Sequence, residues 1–227
     1  MIFPAFNDEK TIGTMVAKAM EVLSDVTDDY EIVVVNDGST DETERVLNEI
    51  ALRTPCLTII SHETNEGYGA AVRRGLSHAS KDLVFYTDGD GQYDPRELRI
   101  LLPLMTDTCD VVNGYRLKRA DSRRRVIIGA IYNRFARTLF RLPVRDVDCD
   151  FRLIRRRRLD GIDLVSSSGA ICVEMIAKLR ASGCTFREAP VQHYHRAYGR
   201  SQFFTLGRVS RTGFDFVGLW MKLVVSG

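Results

Sequence analysis

The chain has 227 residues, of which 44% are hydrophobic and 27% are charged. This composition predicts a globular protein with a sizeable core and excludes a disordered, collagen-like or disulfide-scaffold chain. The net charge of +2 conceals an asymmetry, because residues 1–114 carry 9 basic and 21 acidic side chains, whereas residues 115–227 carry 23 and 9. We therefore expect the first half to bind cations and the second half to bind phosphates, nucleic acid or an anionic membrane.

The cysteines and the hydropathy pattern indicate the compartment. The five cysteines are scattered and none forms a C-x-x-C pair, which favours a reducing environment over a disulfide framework or a zinc ribbon. No apolar stretch reaches 18 residues, so we expect no transmembrane helix. Polar residues at 7–9 interrupt the start, so we expect no signal peptide. A cytoplasmic location follows from these features.

Short apolar segments alternate with helical patterns in the first half of the chain. Strands are predicted at 1–6, 31–36, 57–61, 83–87 and 110–114, and helices at 8–25, 40–52, 69–80 and 95–106. Thr40 and Asp94 occupy N-cap positions, and Pro95 suits the first position of a helix. This alternation predicts an α/β fold with a mostly parallel central sheet flanked by helices.

Polar or glycine-rich residues follow all five of these strands. In chain order they are PAFNDE, NDGSTD, NEGYG, DGDGQ and GYR. Any one of these loops could be a plain turn, since Gly, Asn and Asp are common turn residues. Ligands of parallel sheets bind beyond the carboxyl ends of the strands, so the five loops together predict a binding site there.

The loop after the fourth strand has the most specific pattern. Asp88, Asp90 and Gln92 offer two carboxylates and an amide oxygen at alternate positions, which suits Mg²⁺ or Mn²⁺ shared with substrate phosphates. An EF-hand is excluded because Tyr93 and Arg99 occupy its glycine and glutamate positions. The alternative is a plain turn with exposed acids.

Two further turns offer nucleotide contacts. Asp37 could accept a hydrogen bond from a ribose hydroxyl or a base N–H, although its surroundings also make a good turn. Gly67 and Gly69 lead into a helix whose N-terminus could bind an anion. Neither a G-x-G-x-x-G nor a G-K-[ST] pattern is present, so no dinucleotide fingerprint or P-loop is predicted.

The second half contains a basic amphipathic helix at 123–142, which either lies on a membrane surface or packs on the sheet. Further strands are predicted at 151–156 and 185–193, a helix at 168–182, and a second interfacial helix within 203–225. The acids Asp146, Asp148 and Asp150 alternate just before one strand. They could serve as a base, as acceptors for sugar hydroxyls or as partners of nearby arginines.

Seven segments, taken in order, carry a resemblance to a known family. They are PAFNDE (4–9), VVVNDGSTDET (33–43), NEGYGAAVRRG (65–75), TDGDGQYDP (87–95), NGYR (113–116), DVDCDFRLIRR (146–156) and RAYGRS (196–201). The chain resembles family 2 glycosyltransferases of the GT-A fold, in the branch of dolichol-phosphate mannose synthase and the bacterial polyprenyl-phosphate glycosyltransferases. The chain departs from the family at Gln202, where a lysine often follows the serine.

The resemblance implies roles for individual residues. Residues expected to bind the nucleotide sugar are Pro4, Ala5, Glu9, Asp37, Gly69, Arg73, Asp88 and Gly89. The expected metal ligands are Asp88, Asp90 and Gln92, with Mg²⁺ or Mn²⁺ as the cofactor. Arg116, Arg124, Arg125, Arg196 and Ser201 are expected to bind phosphates of the donor or the acceptor. The expected catalytic acids are Asp90, Asp146 and Asp150.

The implied function is inverting transfer of a hexose from a UDP- or GDP-linked sugar to a polyprenyl phosphate. A phosphomonoester has a second pKa of about 6, so this acceptor needs no strong base. Residues 1–201 would form the GT-A domain and 202–227 a membrane-associating tail, peripheral on the cytoplasmic face of an anionic membrane. A homo-oligomer is left open.

Two other functions remain open at this stage. The first is a family 2 transferase acting on a hydroxyl of a polysaccharide or soluble sugar, which would need Asp150 or Asp146 as a general base. The second is a non-catalytic domain that binds a metal or nucleic acid. The acidic first half argues against duplex binding, so we expect no nucleic-acid partner.

Overall fold

The computed structural model describes residues 1–118, 123–198 and 206–221. The strands are β1 (Ile2–Ala5), β2 (Ile32–Asn36), β3 (Leu57–Ser61), β4 (Leu83–Thr87), β5 (Val111–Arg116), β6 (Phe151–Arg155) and β7 (Phe186–Val191). The helices are α1 (Ile12–Val26), α2 (Thr43–Ala51), α3 (Tyr68–His78), α4 (Leu98–Leu101), α5 (Arg123–Phe140), α6 (Ile171–Ala181) and α7 (Leu206–Trp220). The predicted α/β class is confirmed.

The strands form one seven-stranded sheet in the order β3-β2-β1-β4-β6-β5-β7. All neighbouring pairs are parallel except those of β6, which runs antiparallel to both β4 and β5. The sheet is therefore mostly parallel, as the alternation of strands and helices predicts.

Helices cover both faces of the sheet, which explains why β1, β2 and β4 are apolar at nearly every position. On one face, Phe3 and Val34 pack in a cluster with Ile12 of α1 and Leu47 of α2. On the other, Val33 packs in a second cluster with residues of α3 and α6. Every residue of β1 and β2 is buried as a result.

The reversed direction of β6 determines what reaches the carboxyl edge of the sheet. The residues that follow β1, β2, β4, β5 and β7 lie at this edge. Because β6 is antiparallel, the residues that precede it, 146–150, lie at the same edge. One edge therefore collects residues from both halves of the chain.

A third cluster joins the helices of the second half. Ala136 and Phe140 of α5 are buried against Ile176 of α6 and against Phe216 and Leu219 of α7. The amphipathic helix predicted at 123–142 is thus present at 123–140. It is packed on its neighbours along one side.

Helices α1 and α2 begin later than predicted. Thr40 is not an N-cap: its N–H donates to Asn7 Oδ1 at 2.8 Å, and α2 begins at Thr43, whose N–H donates to Asp41 Oδ1 at 3.0 Å. Helix α1 begins at Ile12 rather than at residue 8, because Thr11 N–H closes a turn on Asp8 O at 2.9 Å.

The N-cap predicted at Asp94 is confirmed, since Asp94 Oδ1 accepts from Arg96 N–H at 3.1 Å and Pro95 follows it. The helix predicted at 95–106 is wrong in its extent. Two 3₁₀ turns flank the single turn of α4. Pro103 lies in the second of these turns, where it lacks the N–H that a continuing α-helix requires.

Candidate active site

Four carboxylates converge at the carboxyl edge of the sheet. Asp88 and Asp90 follow β4, Asp150 immediately precedes β6, and Asp8 follows β1. Burial raises the pKa of Asp88 well above its ordinary value, and the charges of Asp150 and Asp90 raise it further. Burial and the charge of Asp90 raise the pKa of Asp8 to about 7. The four side chains, which we call the carboxylate cluster, therefore repel one another in a poorly solvated site.

Neutral donors hold two members of the carboxylate cluster in place. The Tyr68 hydroxyl, at the start of α3, donates to Asp88 Oδ1 at 2.9 Å. The Cys172 thiol, in the first turn of α6, donates to Asp150 Oδ1 at 3.1 Å. These contacts orient the carboxylates without neutralising them.

Arg196 is the one cationic side chain among the described residues that makes a hydrogen bond to the carboxylate cluster. Its Nη2 pairs with Asp90 Oδ2, and its Nε donates to Gln92 Oε1 at 3.3 Å. It lies beyond β7, in the sequence half that is rich in arginine. The structure therefore brings together Asp88, Asp90, Gln92, Asp150 and Arg196, all of which the resemblance selects.

The loop after β4 can hold a divalent cation. Within the described ranges, no three His, Cys, Asp or Glu side chains form a ready metal cluster. Asp88, Asp90 and Gln92 nonetheless offer hard oxygen donors. Sites for Mg²⁺ commonly use one or two carboxylates and take their other ligands from waters and substrate phosphates. Among the described residues the carboxylate cluster has one arginine contact for four acids, and this excess of acid fits such an ion.

Asp37, which follows β2, makes a hydrogen-bond network with the loop between β3 and α3. Its Oδ1 accepts from Glu66 N–H at 2.9 Å and lies 2.8 Å from His62 Nδ1. Its Oδ2 accepts from Asn65 Nδ2 at 2.8 Å and from Gly67 N–H at 3.0 Å. Asp37 therefore shapes the loop between β3 and α3, and its direct contact with a nucleotide stays a prediction.

The start of α3 is closed by a neighbouring loop. Gly69 N–H donates to Ser167 O at 3.0 Å, and a Cβ on Gly69 would lie only 2.4 Å from Ser166 O. Arg73 Nη1 donates to Val165 O at 3.1 Å, and Glu174 Oε2 accepts from Ser166 N–H at 2.8 Å. The glycine is thus required for close backbone approach, and Arg73 fixes the serine loop.

The other predicted nucleotide-sugar residues lie around β1. Pro4 O accepts from Gly89 N–H at 3.2 Å, and Ala5 O accepts from Asp37 N–H at 2.9 Å. Glu9 Oε2 accepts from Glu42 N–H at 3.0 Å. These residues connect the loops after β1, β2 and β4, and their nucleotide contacts stay predictions.

Arg116 and Asp146 are paired with each other. Arg116 Nε donates to Asp146 Oδ2 at 2.6 Å and its Nη2 to Oδ1 at 2.5 Å, with the arginine side chain only 6% exposed. Such a two-pronged contact is among the strongest that side chains make. The side chains of Arg124 and Arg125, and the whole of Ser201, lie outside the described residues.

The family follows from comparison with known proteins. The family model described as Glycosyl transferase family 2 matches residues 1–162. The chain belongs to this family. Membership of a glycosyltransferase family favours a transferase over a purely non-catalytic domain.

One curated relative of this glycosyltransferase is named undecaprenyl-phosphate 4-deoxy-4-formamido-L-arabinose transferase, from Enterobacter sp. (strain 638). It is 27% identical over 205 residues, which cover 89% of this chain. The chain spans 62% of the length of that relative.

Solved structures share the GT-A fold of this glycosyltransferase. Glucosyl-3-phosphoglycerate synthase from Mycobacterium tuberculosis, in complex with Mn²⁺, uridine diphosphate and phosphoglyceric acid, aligns with a TM-score of 0.73 at 18% identity, over 97% of this chain and 76% of the other. The same synthase in complex with Mn²⁺ and uridine-diphosphate-glucose aligns with a TM-score of 0.69 at 20% identity, over 97% and 77%. At these identities the likeness shows the fold.

Sequence reasoning missed three residues of this glycosyltransferase. Asp8 and Tyr68 lie in loops that the sequence analysis assigns to the binding site. Nothing in their spacing indicates that Asp8 approaches Asp90 or that Tyr68 approaches Asp88. Arg152 is fully buried; its Nη2 donates to Val147 O at 2.6 Å and to Cys149 O at 3.3 Å. It therefore anchors the backbone just before Asp150.

The raised pKa of Asp8 makes the stability of this glycosyltransferase depend on pH. An ordinary Asp titrates at 3.8, whereas Asp8 titrates at about 7 when folded. The folded chain thus keeps a proton that the unfolded chain releases, and this contribution to stability is present below the unfolded pKa and is lost as the pH rises through 7. Between pH 5 and 8 the loss is about 2 to 3 kcal/mol.

Asp8→Asn cannot titrate but keeps an oxygen for Phe6 N–H, which donates to Asp8 Oδ2 at 3.0 Å. Urea unfolding in EDTA should therefore show this variant gaining stability over the wild type as the pH is raised from 5 to 8. Parallel pH curves for the two proteins would contradict the assignment.

Proposed function

We propose that this glycosyltransferase moves a hexose from a UDP- or GDP-linked sugar to a polyprenyl phosphate, with inversion at the anomeric carbon and a divalent ion as cofactor. The observation that carries the proposal is the carboxylate cluster, in which one contacting arginine faces four acids. Such a site favours a divalent cation together with the diphosphate of a donor. The relative named as an undecaprenyl-phosphate transferase, and the neighbours solved with Mn²⁺ and uridine diphosphate, support the choice of substrates.

Asp88, Asp90 and Gln92 would hold the divalent ion, which when bound stabilises the negative charge of the nucleoside diphosphate leaving group. The chain itself orients these ligands. Tyr68 fixes one oxygen of Asp88, and Gln92 Nε2 donates to Tyr194 O at 3.2 Å. Asp88 and Gln92 are therefore held in position before any substrate arrives, which lowers the cost of organising the site.

The acceptor phosphate supplies its own nucleophile. With a second pKa of about 6 it is largely a dianion at neutral pH and transfers no proton on attack. A polyprenyl phosphate thus suits a site whose acids are arranged around a cation. The attacking oxygen forms the new bond to the anomeric carbon as the bond to the nucleoside diphosphate breaks.

A hydroxyl acceptor is the second candidate, because one residue could serve it. Asp150 is free of any arginine hydrogen bond among the described residues, and burial raises its pKa, which brings a carboxylate towards the range of an effective general base. Asp146 is a poorer base, since Arg116 occupies both of its oxygens. A sugar-hydroxyl acceptor would therefore depend on Asp150.

A transfer assay distinguishes the two acceptors. Purified protein with Mn²⁺ or Mg²⁺ is given a panel of radiolabelled UDP- and GDP-sugars, with undecaprenyl phosphate, undecaprenol or soluble sugars as acceptor. We expect label in the lipid fraction with the phosphate only. EDTA should abolish transfer, and Asp90→Asn should lower it by about 100-fold or more, because a ligand of the ion is lost.

Asp107→Asn is the matched control, since Asp107 is exposed in the loop that enters β5, at the opposite edge of the sheet. It should retain full activity. Transfer to undecaprenol or a soluble sugar, with none to the phosphate, would overturn the proposal that the acceptor is a polyprenyl phosphate. Full activity of Asp90→Asn would overturn the proposal that Asp90 binds the ion.

We also propose that α5 and the predicted tail at 202–227 associate with an anionic membrane surface. Ile127, Ile131 and Phe135 share one side of the helix and are 60%, 65% and 56% exposed. Arg134, Arg137 and Arg141 line a groove alongside them. An apolar stripe bordered by arginines suits the interface of an anionic bilayer. In the described part of the chain, no helix is long and apolar enough to cross a membrane.

Co-sedimentation with vesicles tests this surface. Replacing both Ile127 and Ile131 by Ser should lower binding to phosphatidylglycerol vesicles by at least about tenfold, because each buried isoleucine contributes about 1.5–3 kcal/mol. Leu52→Ser is the control, since Leu52 is 87% exposed at the end of α2. Equal binding by the two variants would place the membrane contact elsewhere.

A further inference from the structure

Arg196 contacts the same side-chain oxygens that the proposed function reserves for a divalent ion. Its guanidinium pairs with Asp90 Oδ2 through Nη2 and donates from Nε to Gln92 Oε1 at 3.3 Å. Asp90 is 8% exposed and Arg196 25% exposed as side chains. The contact is therefore sheltered from solvent on the side of the aspartate.

The backbone around Arg196 is tied to the loop that carries these ligands. Tyr194 N–H donates to Gln92 O at 2.8 Å, and Gln92 Nε2 donates back to Tyr194 O at 3.2 Å. The ring of His193 packs edge-on against that of Tyr93, with centroids 5.2 Å apart. This pairing holds the segment 193–196 against the loop after β4, so Arg196 reaches Asp90 from a defined position.

The charge around Asp90 explains why a cationic side chain is stable there. Asp8, Asp88 and Asp150 lie close enough for charge interactions that link the cluster to Asp90, and in the described parts of the chain Arg196 is the only cation hydrogen-bonded to any of the four. A guanidinium on Asp90 Oδ2 competes with a divalent ion for the same lone pairs, and two cations at that distance repel each other. Arg196 therefore opposes entry of the ion for as long as it stays on Asp90.

We propose that Arg196 is an internal cation that occupies the metal site until a nucleoside diphosphate draws it away, so that metal and donor bind cooperatively. The inference rests on the proposed metal-dependent function and adds that Arg196 leaves Asp90 before the ion binds there. A diphosphate offers the guanidinium two negatively charged groups that suit its planar fork. Once Arg196 moves to these groups, Asp90 becomes available to the ion. Because coupling between two ligands is reciprocal, each then strengthens the binding of the other.

Binding of Mn²⁺ alone tests the first half of the proposal. Free Mn²⁺ is titrated by its electron paramagnetic resonance signal against wild type, Arg196→Gln, Arg196→Lys and Arg99→Gln, all without nucleotide. We expect Arg196→Gln to bind Mn²⁺ about tenfold more tightly than the wild type, because the competing cation is gone. Arg196→Lys should stay near the wild type, since it keeps the positive charge.

Arg99→Gln is the matched control, because Arg99 pairs with Asp25 in another arginine–aspartate contact and makes no hydrogen bond to a member of the carboxylate cluster. Its affinity for Mn²⁺ should equal that of the wild type. Repeating the titrations with saturating UDP and GDP tests the second half: the nucleotide should strengthen Mn²⁺ binding by a factor about ten times larger in the wild type than in Arg196→Gln.

The outcomes separate the inference from the function it rests on. If Arg196→Gln binds Mn²⁺ no more tightly than the wild type while both bind it with UDP or GDP, the internal cation is overturned and the metal-dependent function stands. If no protein binds Mn²⁺ with or without nucleotide, the metal-dependent function falls, and the inference with it. Thermal melting of each variant shows whether it is folded. Arg196→Lys adds a second check, because it changes the side chain but keeps the charge.

Discussion

The mutual repulsion of buried and half-buried carboxylates at one edge of the sheet is the constraint on which the site depends. Burial raises the pKa of Asp8, Asp88, Asp90 and Asp150, and the charge of a neighbouring carboxylate raises it further for the first three. Shifted pKa values of this kind cluster at functional sites. Neutral donors hold two of the acids, and Arg196 compensates a third, so the site is arranged without being neutralised.

The sheet topology converts a polarised sequence into this arrangement. The acidic half supplies the strand ends with Asp8, Asp88 and Asp90, and the arginine-rich half supplies Arg196 after β7. Asp150 reaches the same edge only because β6 runs against its neighbours. Arg152, one residue into β6, is buried and binds the carbonyls of residues 147 and 149, so strand direction and loop position are fixed together.

Local patterns predicted much of this architecture, and long-range contacts account for what they missed. The bounds of β3 and β4 match the prediction because short apolar runs flanked by polar turns are typical of strands. The sequence predicts the proximity of Asp88 and Asp90 because both lie in one short loop. Two other contacts join residues that lie at least 30 positions apart and form only when the sheet is packed. They are the approach of Asp8 to Asp90 and the bidentate ion pair of Arg116 with Asp146.

We infer that the loop after β4 holds a divalent ion beside a donor diphosphate, and anomalous diffraction would locate the ion directly. Crystals grown with Mn²⁺ and either UDP or GDP would be measured near the manganese absorption edge. We expect one anomalous peak between Asp88 and Asp90, with the Arg196 guanidinium turned from Asp90 to the diphosphate. A peak at another place, or nucleotide bound with Arg196 still paired to Asp90 and no ion beside it, would rule out this metal site.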